Sequence, residues 1–452
     1  MEEDYKPPFE RSTVNEIAQK RLDKAIDIAQ ERIDKEAASS PELRFALDIV
    51  ENFLRRKKRV CYGGTAMNAQ LPKKLQFYSE ERDLPDYDFF TPDIHNDVEE
   101  LVAEFKKAGF EDVKNRVGMH EGTRKILVNF VAVADMTEME SNVYNSIFRR
   151  AVVLKGIHYT DPDVLRMMMY LELSRPKGDV SRWSKVYERL TLINTAFPMK
   201  KCKKEERKPR KIPFQVRDLL HNYCIEKGRI LAGARLEKVY YKSLRARKNQ
   251  QWETREGGAV VFFSPDIKKD AIDLRQKLGF RGIEINYYQA YGEIVPARLV
   301  LKFFKLPIAL LVQDTACHAH NSMKTKDGRT VLIATLDTLI TLYLSLAIFT
   351  NDENDIFGFS LMCAVERFID VNSQIQKART EKQFPAFPLE CVGYQKGYPT
   401  LLREKVARIA EEKAAAKLRE LLKKRNVTRK NTKTAAAKTA KKVNKTLRNR
   451  KE

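Results

Sequence analysis

The stretch that most constrains this chain is Cys61-Tyr62-Gly63-Gly64-Thr65-Ala66-Met67-Asn68, followed a helix length later by Leu84-Pro85-Asp86-Tyr87-Asp88-Phe89-Phe90. An apolar lead-in, two glycines and a hydroxyl residue predict a strand that ends in a tight turn and opens a helix. Backbone N–H groups left free at such a turn form a cradle for phosphate. The second part sets two carboxylates at i and i+2 in a β-prone run. Asp86 and Asp88 therefore face one side of a strand and Tyr87 the other. Paired carboxylates repel unless a cation lies between them, and Mg²⁺ commonly joins carboxylates to substrate phosphates. Further on, the apolar segment Lys125 to Asp135 ends in an acid. Its place after the turn and the acidic pair predicts a neighbouring strand that supplies a third carboxylate, Asp135.

The bulk numbers narrow the class. A chain of 452 residues with 43% hydrophobic content can bury a real core and is long enough for two or three domains. Net charge is +23, which favours polyanions as partners, nucleic acid ahead of membrane. The six cysteines are scattered with no C-x-x-C pair, which predicts reduced thiols in an intracellular protein. The acidic start Met1-Glu2-Glu3-Asp4 is unlike a signal peptide. The most apolar run, Val331 to Phe349, carries Asp337 and several hydroxyl residues, so it reads as a buried helix and no membrane partner is expected.

In chain order, residues 14–36 predict an amphipathic helix, and Ser39-Ser40-Pro41-Glu42 predicts a capped helix start. That second helix ends in Arg55-Arg56-Lys57-Lys58-Arg59, which reads equally as an RNA contact or a solvated helix end. Residues 161–195 look helical, and their methionine run reads as core. Lys177, Arg182 and Lys185 follow that run and are candidates to hold nucleotide phosphates, since a triphosphate needs cations that an acidic site cannot supply. Residues 200–213 form a charged connector and mark a domain boundary. Cys317-His318-Ala319-His320 has metal-ligand residue types, but no fourth ligand lies at suitable spacing. Residues 401–424 are helix-prone. Residues 425–452 hold almost no large apolar side chains and are expected to form a disordered polycationic arm.

The second half repeats the first. Val260-Val261-Phe262-Phe263-Ser264-Pro265-Asp266 parallels Tyr87-Asp88-Phe89-Phe90-Thr91-Pro92-Asp93, and each is followed by a helix closing in Gly-Phe. Tyr343-Leu344-Ser345-Leu346 likewise parallels Tyr170-Leu171-Glu172-Leu173. A duplicated fold is predicted. Ala259 and Val261 stand in place of Asp86 and Asp88, so the second copy is expected to be non-catalytic.

Gly-Gly-[Ser/Thr] followed by Asp-x-Asp resembles the nucleotidyltransferase superfamily that includes DNA polymerase β. Four stretches narrow this: Gly-Gly-Thr-Ala-x-Asn, Pro-Asp-Tyr-Asp-Phe-Phe, Glu-Leu-Ser-Arg-Pro and Arg-Trp-Ser-Lys-Val-Tyr-Glu-Arg-Leu. Together they resemble the poly(A) polymerase catalytic subunits of large cytoplasmic DNA viruses, mimivirus-type ahead of poxvirus-type. The resemblance covers roughly residues 10–400 and implies an α+β protein with a duplicated DNA polymerase β-like fold. The expected division is 1–58 (N-terminal helices), 59–200 (catalytic), 214–400 (degenerate copy) and 401–452 (basic helix and tail). It implies template-independent addition of AMP from ATP to RNA 3′ ends, with Mg²⁺ or Mn²⁺ held by Asp86, Asp88 and Asp135. Nucleotide binding would fall to Gly63, Gly64, Thr65, Asn68, Lys177, Arg182 and Lys185. A homodimer is expected, as the mimivirus-type members imply, with a separate processivity factor of the poxvirus kind as the alternative, in the viral factory of the host cytoplasm or packaged in the virion. The residues alone leave nucleotide choice open. A uridylyl- or CCA-adding transferase fits them too, and an RNA-binding scaffold is the reading from another class. The intact triad weighs against the scaffold.

Overall fold

The computed structural model describes residues 16–79, 83–202, 211–246, 248–254, 257–279, 281–291, 294–350, 360–379, 383–418 and 421. The acidic N-terminus, the middle of the connector and the 425–452 tail lie outside the described residues. No helix among the described residues is long and apolar enough to cross a membrane.

Two helices lead in, α1 (Glu16–Ser39) and α2 (Pro41–Lys57). The cap of α2 is the expected one: the Ser40 hydroxyl accepts from the Leu43 N–H at 3.3 Å, with Pro41 in the first turn. The first copy then runs β1 (Val60–Cys61), α3 (Gly63–Gln70), β2 (Tyr87–Thr91), α4 (Ile94–Lys107), β3 (Val113–Val117), β4 (Thr123–Val128), β5 (Val131–Glu138), α5 (Ser141–Arg150), β6 (Val152–Leu154), β7 (Ile157–Tyr159), α6 (Pro162–Leu173) and α7 (Trp183–Ala196). The second runs α8 (Phe214–Glu226), β8 (Ile230–Leu231), α9 (Leu236–Arg245), β9 (Val260–Ser264), α10 (Ile267–Leu278), β10 (Ile283–Tyr288), β11 (Arg298–Phe303), β12 (Leu306–Gln313), β13 (His318–Lys324), β14 (Thr330–Ala334), α11 (Leu336–Phe349), α12 (Leu361–Gln376) and β15 (Cys391–Val392).

The predicted duplication is written in the sheets. The first has strand order β3-β4-β5-β2-β1-β7-β6, the second β10-β11-β12-β9-β8-β14-β13-β15. Strand for strand the order is the same, with β15 added at one edge. Parallel pairs also correspond: β2 with β5 and β1 with β7, β9 with β12 and β8 with β14. Cys61 lies opposite Phe89 as Leu231 lies opposite Phe262. Both sheets share one apolar core, in which α6 packs on α11. Met167 and Met169 of the methionine run are buried in it, as expected.

A buried ion pair recurs in both copies. Arg59 donates two hydrogen bonds to Asp97, at 2.6 and 3.0 Å, and Thr91 adds a third at 2.6 Å. Arg229 does the same to Asp270 at 2.7 and 2.9 Å, with Ser264 beside it. The pair ties the residue before β1 or β8 to the first turn of α4 or α10. Neighbouring cations join the seam: Arg56 reaches Glu100 and Glu104, and Lys57 reaches Glu100. The basic run at the end of α2 is thus mainly an ion-pair seam to α4, which neither sequence reading foresaw. Asp97 is fully buried, so Asp97→Ala strands a half-buried guanidinium. The expected loss is about 3–5 kcal/mol of stability, read from urea unfolding. An unchanged midpoint would remove this pair from the account of what holds the sheet.

Three expectations are corrected. The 161–195 region is two helices, because Pro176 cannot continue α6 and the chain turns before α7. The run from Val331 is not one helix: its first residues form β14, and the Thr335 hydroxyl caps α11 at the Thr338 N–H. The cysteines are not all free thiols. Cys202–Cys363 and Cys317–Cys391 are disulfides, while Cys61 and Cys224 are free and buried. The paired cysteines are 161 and 74 residues apart, so sequence spacing carried no sign of them. Cys317 is therefore taken up by Cys391. His318 stacks on Phe263 at 4.3 Å, and burial pushes its imidazole down to about 3. A helix over 398–418 forms a separate compact unit with residues 117–121, where the Arg408 guanidinium donates to the Gly118 and Met119 carbonyls.

Candidate active site

Three neighbouring strands build the acidic cluster. β2 lies parallel to β5 with Asp88 in register with Asp135, and Asp86 stands two residues before Asp88 on the same face. One carboxylate oxygen from each of Asp86, Asp88 and Asp135 lies within 4.8 Å of the others. β4 pairs antiparallel with β5 and sets Lys125 opposite Asp135, with Nζ 2.9 Å from Asp135 Oδ2. Asp135 Oδ1 is buried and has no hydrogen-bond partner.

This crowding shows in the protonation equilibria. Burial, then the charge of Asp135, pushes the Asp86 carboxyl up to about 6, although its surface is open to water. Burial, then Asp86 and Asp135, pushes Asp88 up to about 7 against the pull of Lys125 and Arg182. For Lys125 burial opposes the charged form, but Asp135, Asp86 and Asp88 outweigh it and raise the ammonium above its ordinary value. Three carboxylates sharing one ammonium in contact, with an orphaned buried oxygen among them, are a donor set short of positive charge. All-oxygen ligands of this kind fit a hard divalent cation such as Mg²⁺ or Mn²⁺.

The glycine turn sits against this cluster. Gly63 opens α3 at φ +72, and a Cβ there would fall 2.3 Å from Asp88 Oδ2. A Cβ on Gly64 would meet Tyr78 Oη at 2.9 Å and Arg189 Nη1 at 3.0 Å. Tyr62, the residue before α3, gives no side-chain cap, so the first-turn N–H groups have no side-chain acceptor there. The N-terminal end of a helix favours an anion such as phosphate. The Thr65 hydroxyl donates to the Asp86 carbonyl at 2.7 Å, fastening the turn to the acidic strand. The Asn68 amide donates to the Tyr78 carbonyl and accepts from the Phe77 and Tyr78 N–H groups at 2.8 and 2.9 Å. Thr65 and Asn68 thus act on the protein's own backbone.

Arg182, Lys185 and Arg189 lie at the start and along the first turns of α7. Burial, then Arg189 and Arg182, pushes the Lys185 ammonium down, which marks a crowd of like charges. Arg182 lies 3.5 Å from Glu172, and its field reaches Asp88. Arg189 donates to Tyr78 Oη at 2.6 Å and lies over the Phe77 ring at 4.7 Å. Lys177 is exposed in the turn after α6. Sequence reading missed Lys125, Tyr78 and Arg189. Lys125 sits at the head of the segment read for Asp135, and strand pairing alone would have set it opposite that acid. Arg189 is seven residues after Arg182, on the same helical face.

Each copy is an α+β unit built on one mixed sheet, and the first copy carries an acidic triad against a glycine turn. Residues 48–179 match the family model described as the poly(A) polymerase catalytic subunit. A relative from African swine fever virus (isolate Pig/Kenya/KEN-50/1950), provisionally named as a poly(A) polymerase catalytic subunit, is 31% identical over 171 residues, 36% of each chain. One of the same provisional name from Acanthamoeba polyphaga mimivirus is 28% identical over 163 residues, 35% of this chain and 27% of that protein. The matched region spans about a third of the length of these curated relatives. The crystal structure of the Megavirus polyadenylate synthase is similar over 92% of this chain and 86% of that one, with a TM-score of 0.69 and 19% identity. The chain therefore has that protein's fold.

Proposed function

We propose that this chain is a template-independent polynucleotide adenylyltransferase that adds AMP from ATP to RNA 3′ ends. The observation that carries the reading is the triad Asp86, Asp88 and Asp135, with an unpartnered oxygen, packed against the Gly63-Gly64 turn. The names of the relatives support adenylate as the unit transferred.

Phosphoryl and nucleotidyl transfer depend on positioning and charge stabilisation. The three carboxylates would hold divalent metal, which when bound supplies charge neutralisation and favours loss of the 3′-hydroxyl proton. The N–H groups at the start of α3 orient the triphosphate. Arg182 and Lys185 draw its outer phosphates away from the carboxylates. Lys125 pairs with Asp135 and fixes the position of its carboxylate. Thr65 holds the turn at a fixed distance from Asp86, and Asn68 fixes the loop carrying Tyr78. The basic composition supports an RNA substrate. The reading extends to a homodimer acting in the viral factory, with the tail as an RNA-holding arm.

Primer extension tests this. A short labelled RNA, Mg²⁺ or Mn²⁺ and each ribonucleotide are incubated separately with the protein. A ladder with ATP alone, absent in the Asp86→Ala/Asp88→Ala variant, is expected. A ladder with UTP would overturn the adenylate assignment, and no extension despite RNA binding would favour a scaffold. Arg182→Glu/Lys185→Glu is expected to raise KM for ATP about ten- to a hundredfold, since charge-assisted contacts contribute about 1.5–3 kcal/mol. An unchanged KM in steady-state assays would remove these two residues from the phosphate site.

A further inference from the structure

The second copy keeps a cavity where the first has its acidic site. It has a volume of about 250 Å³ and is lined by Gly233, Ala259 and Val261, the counterparts of Gly63, Asp86 and Asp88. The correspondence rests on backbone contacts: Tyr62 N–H donates to the Asp88 carbonyl at 2.8 Å, and Ala232 N–H to the Val261 carbonyl at 2.7 Å. Leu310, opposite Val261, stands where Asp135 stands opposite Asp88. All three carboxylates are gone.

What replaces them is positive. Arg217, Arg235, Lys238 and Lys242 line the cavity, with Arg235 in the place of Thr65. Among the described residues lining it, the carboxylate is that of Glu253, which pairs with Lys326 at 3.3 Å. Two of the guanidiniums are pressed together against Gly257. A Cβ there would lie 2.8 Å from Arg235 Cζ and 3.0 Å from Arg217 Nη1. Arg217 is 8% exposed, donates to the Gly258 carbonyl, and has a buried Nε with no partner. Burial, then the Arg235 charge, pushes it down to about 10. Like charges held this close are stabilised by an anion between them.

The cavity also has an aromatic wall. His221 is 4% exposed and stacks on Trp252 with ring centroids 5.4 Å apart. His221 Nδ1 and Trp252 Nε1 are both buried without a hydrogen-bond partner. Burial, then Arg217, pushes the imidazole down to about 3, so it is neutral and adds no charge of its own. A simple anion would need the arginines alone. An indole and imidazole with unmet polar atoms beside them suit a ligand that carries a ring as well as a phosphate.

We propose that this cavity is a second, metal-independent site for a nucleoside phosphate, with the phosphate on Arg217 and Arg235 and the base against Trp252. Loss of the acids has inverted the site from one that needs a cation to one that supplies it. The ligand is a free nucleotide or one unit of an RNA strand, and these share the recognised chemistry.

The test uses the full chain carrying Asp86→Ala and Asp88→Ala, in excess EDTA, so that binding at the first copy is suppressed. The chain has two tryptophans, so Trp183→Phe leaves Trp252 as the sole indole reporter. ATP and a short oligouridylate are titrated separately, with far-UV circular dichroism confirming the fold of each variant. A saturable change in Trp252 emission is expected, weakened at least about tenfold by Arg235→Glu and, independently, by Lys242→Glu. Saturation by ATP that RNA does not displace assigns a free nucleotide. Displacement of ATP by RNA assigns an RNA unit. No saturable change with either ligand overturns the proposal. So does unaltered affinity in both variants, or equal displacement by hexaglutamate, which would mark a general polyanion surface. Because the readout needs neither metal nor turnover, it stands or falls separately from the primer-extension result.

Discussion

Replacing Asp86 and Asp88 together with alanine is expected to abolish nucleotidyl transfer while leaving the protein folded and still able to bind RNA. Loss of a single group that stabilises developing charge typically costs about a hundred- to a thousandfold, so the double variant should fall at least that far. Stability is expected to move the other way. Both carboxyls are raised in the folded, metal-free chain, to about 6 and about 7, chiefly by burial and then by neighbouring acids. A carboxyl raised above its unfolded value costs stability once it ionises. The cost begins as pH climbs past the unfolded value near 4 and is complete above about 7. At pH 8 in EDTA the double variant should therefore melt no lower than the wild type. Adding Mg²⁺ should raise the wild-type Tm and leave that of the variant unchanged, because only the wild type has the ligands. Thermal scans with and without Mg²⁺, beside single-turnover extension, check both halves. A variant that melts well below the wild type in EDTA would mean these residues hold the fold together, and the site assignment would lose its support.

The second large effect is expected at Gly63. Gly63→Ala demands a β-carbon 2.3 Å from Asp88 Oδ2 and a side chain at φ +72. The left-handed backbone alone costs about 1–2 kcal/mol, which a protein of this size tolerates. The carboxylate must also move, and a displacement of about 1 Å near reacting atoms can cost about a hundredfold. A fall in kcat of that order is expected, with a small drop in the urea midpoint. Gly64→Ala is the control. Its added carbon meets the ends of two flexible side chains, Tyr78 and Arg189, which can shift. Equal losses at the two glycines would show that the turn matters only as a turn.

Much of this site was legible in the sequence because strand geometry is strict. Asp86 and Asp88 had to share a face, and the order of elements put Asp135 on an adjoining strand. Strand register then brought Asp135 opposite Asp88. The duplication was legible because Phe-Phe-[Ser/Thr]-Pro-Asp recurs where a strand hands over to a capped helix. In both copies that Asp caps the helix, Asp93 for α4 and Asp266 for α10. What was hidden depended on contacts between segments far apart in the chain. Lys125 gains its meaning only from the β4–β5 register. The Arg56 and Arg59 side chains read as an RNA contact or a solvated helix end because their acids arrive about forty residues later. The disulfides needed the fold to bring their cysteines together. The segment after Val331 misled because apolar content does not separate a buried strand from a buried helix, and the Thr335 cap carried the boundary.

The repeated pair Arg59–Asp97 and Arg229–Asp270 has a consequence for how such a chain can change. In the first half the residues that fasten the scaffold are distinct from the acidic triad and glycine turn, and stand at the opposite ends of β1 and β2; the second half keeps the fastening pair. One half could therefore surrender its carboxylates without loosening its frame. The reverse exchange is open by the same logic. Acids restored at Ala259, Val261 and Leu310 would stand on an intact frame, but would face Arg217 and Arg235 as built-in counter-ions. The second copy thus differs from the first by the cations that line its cavity as much as by the carboxylates it lacks.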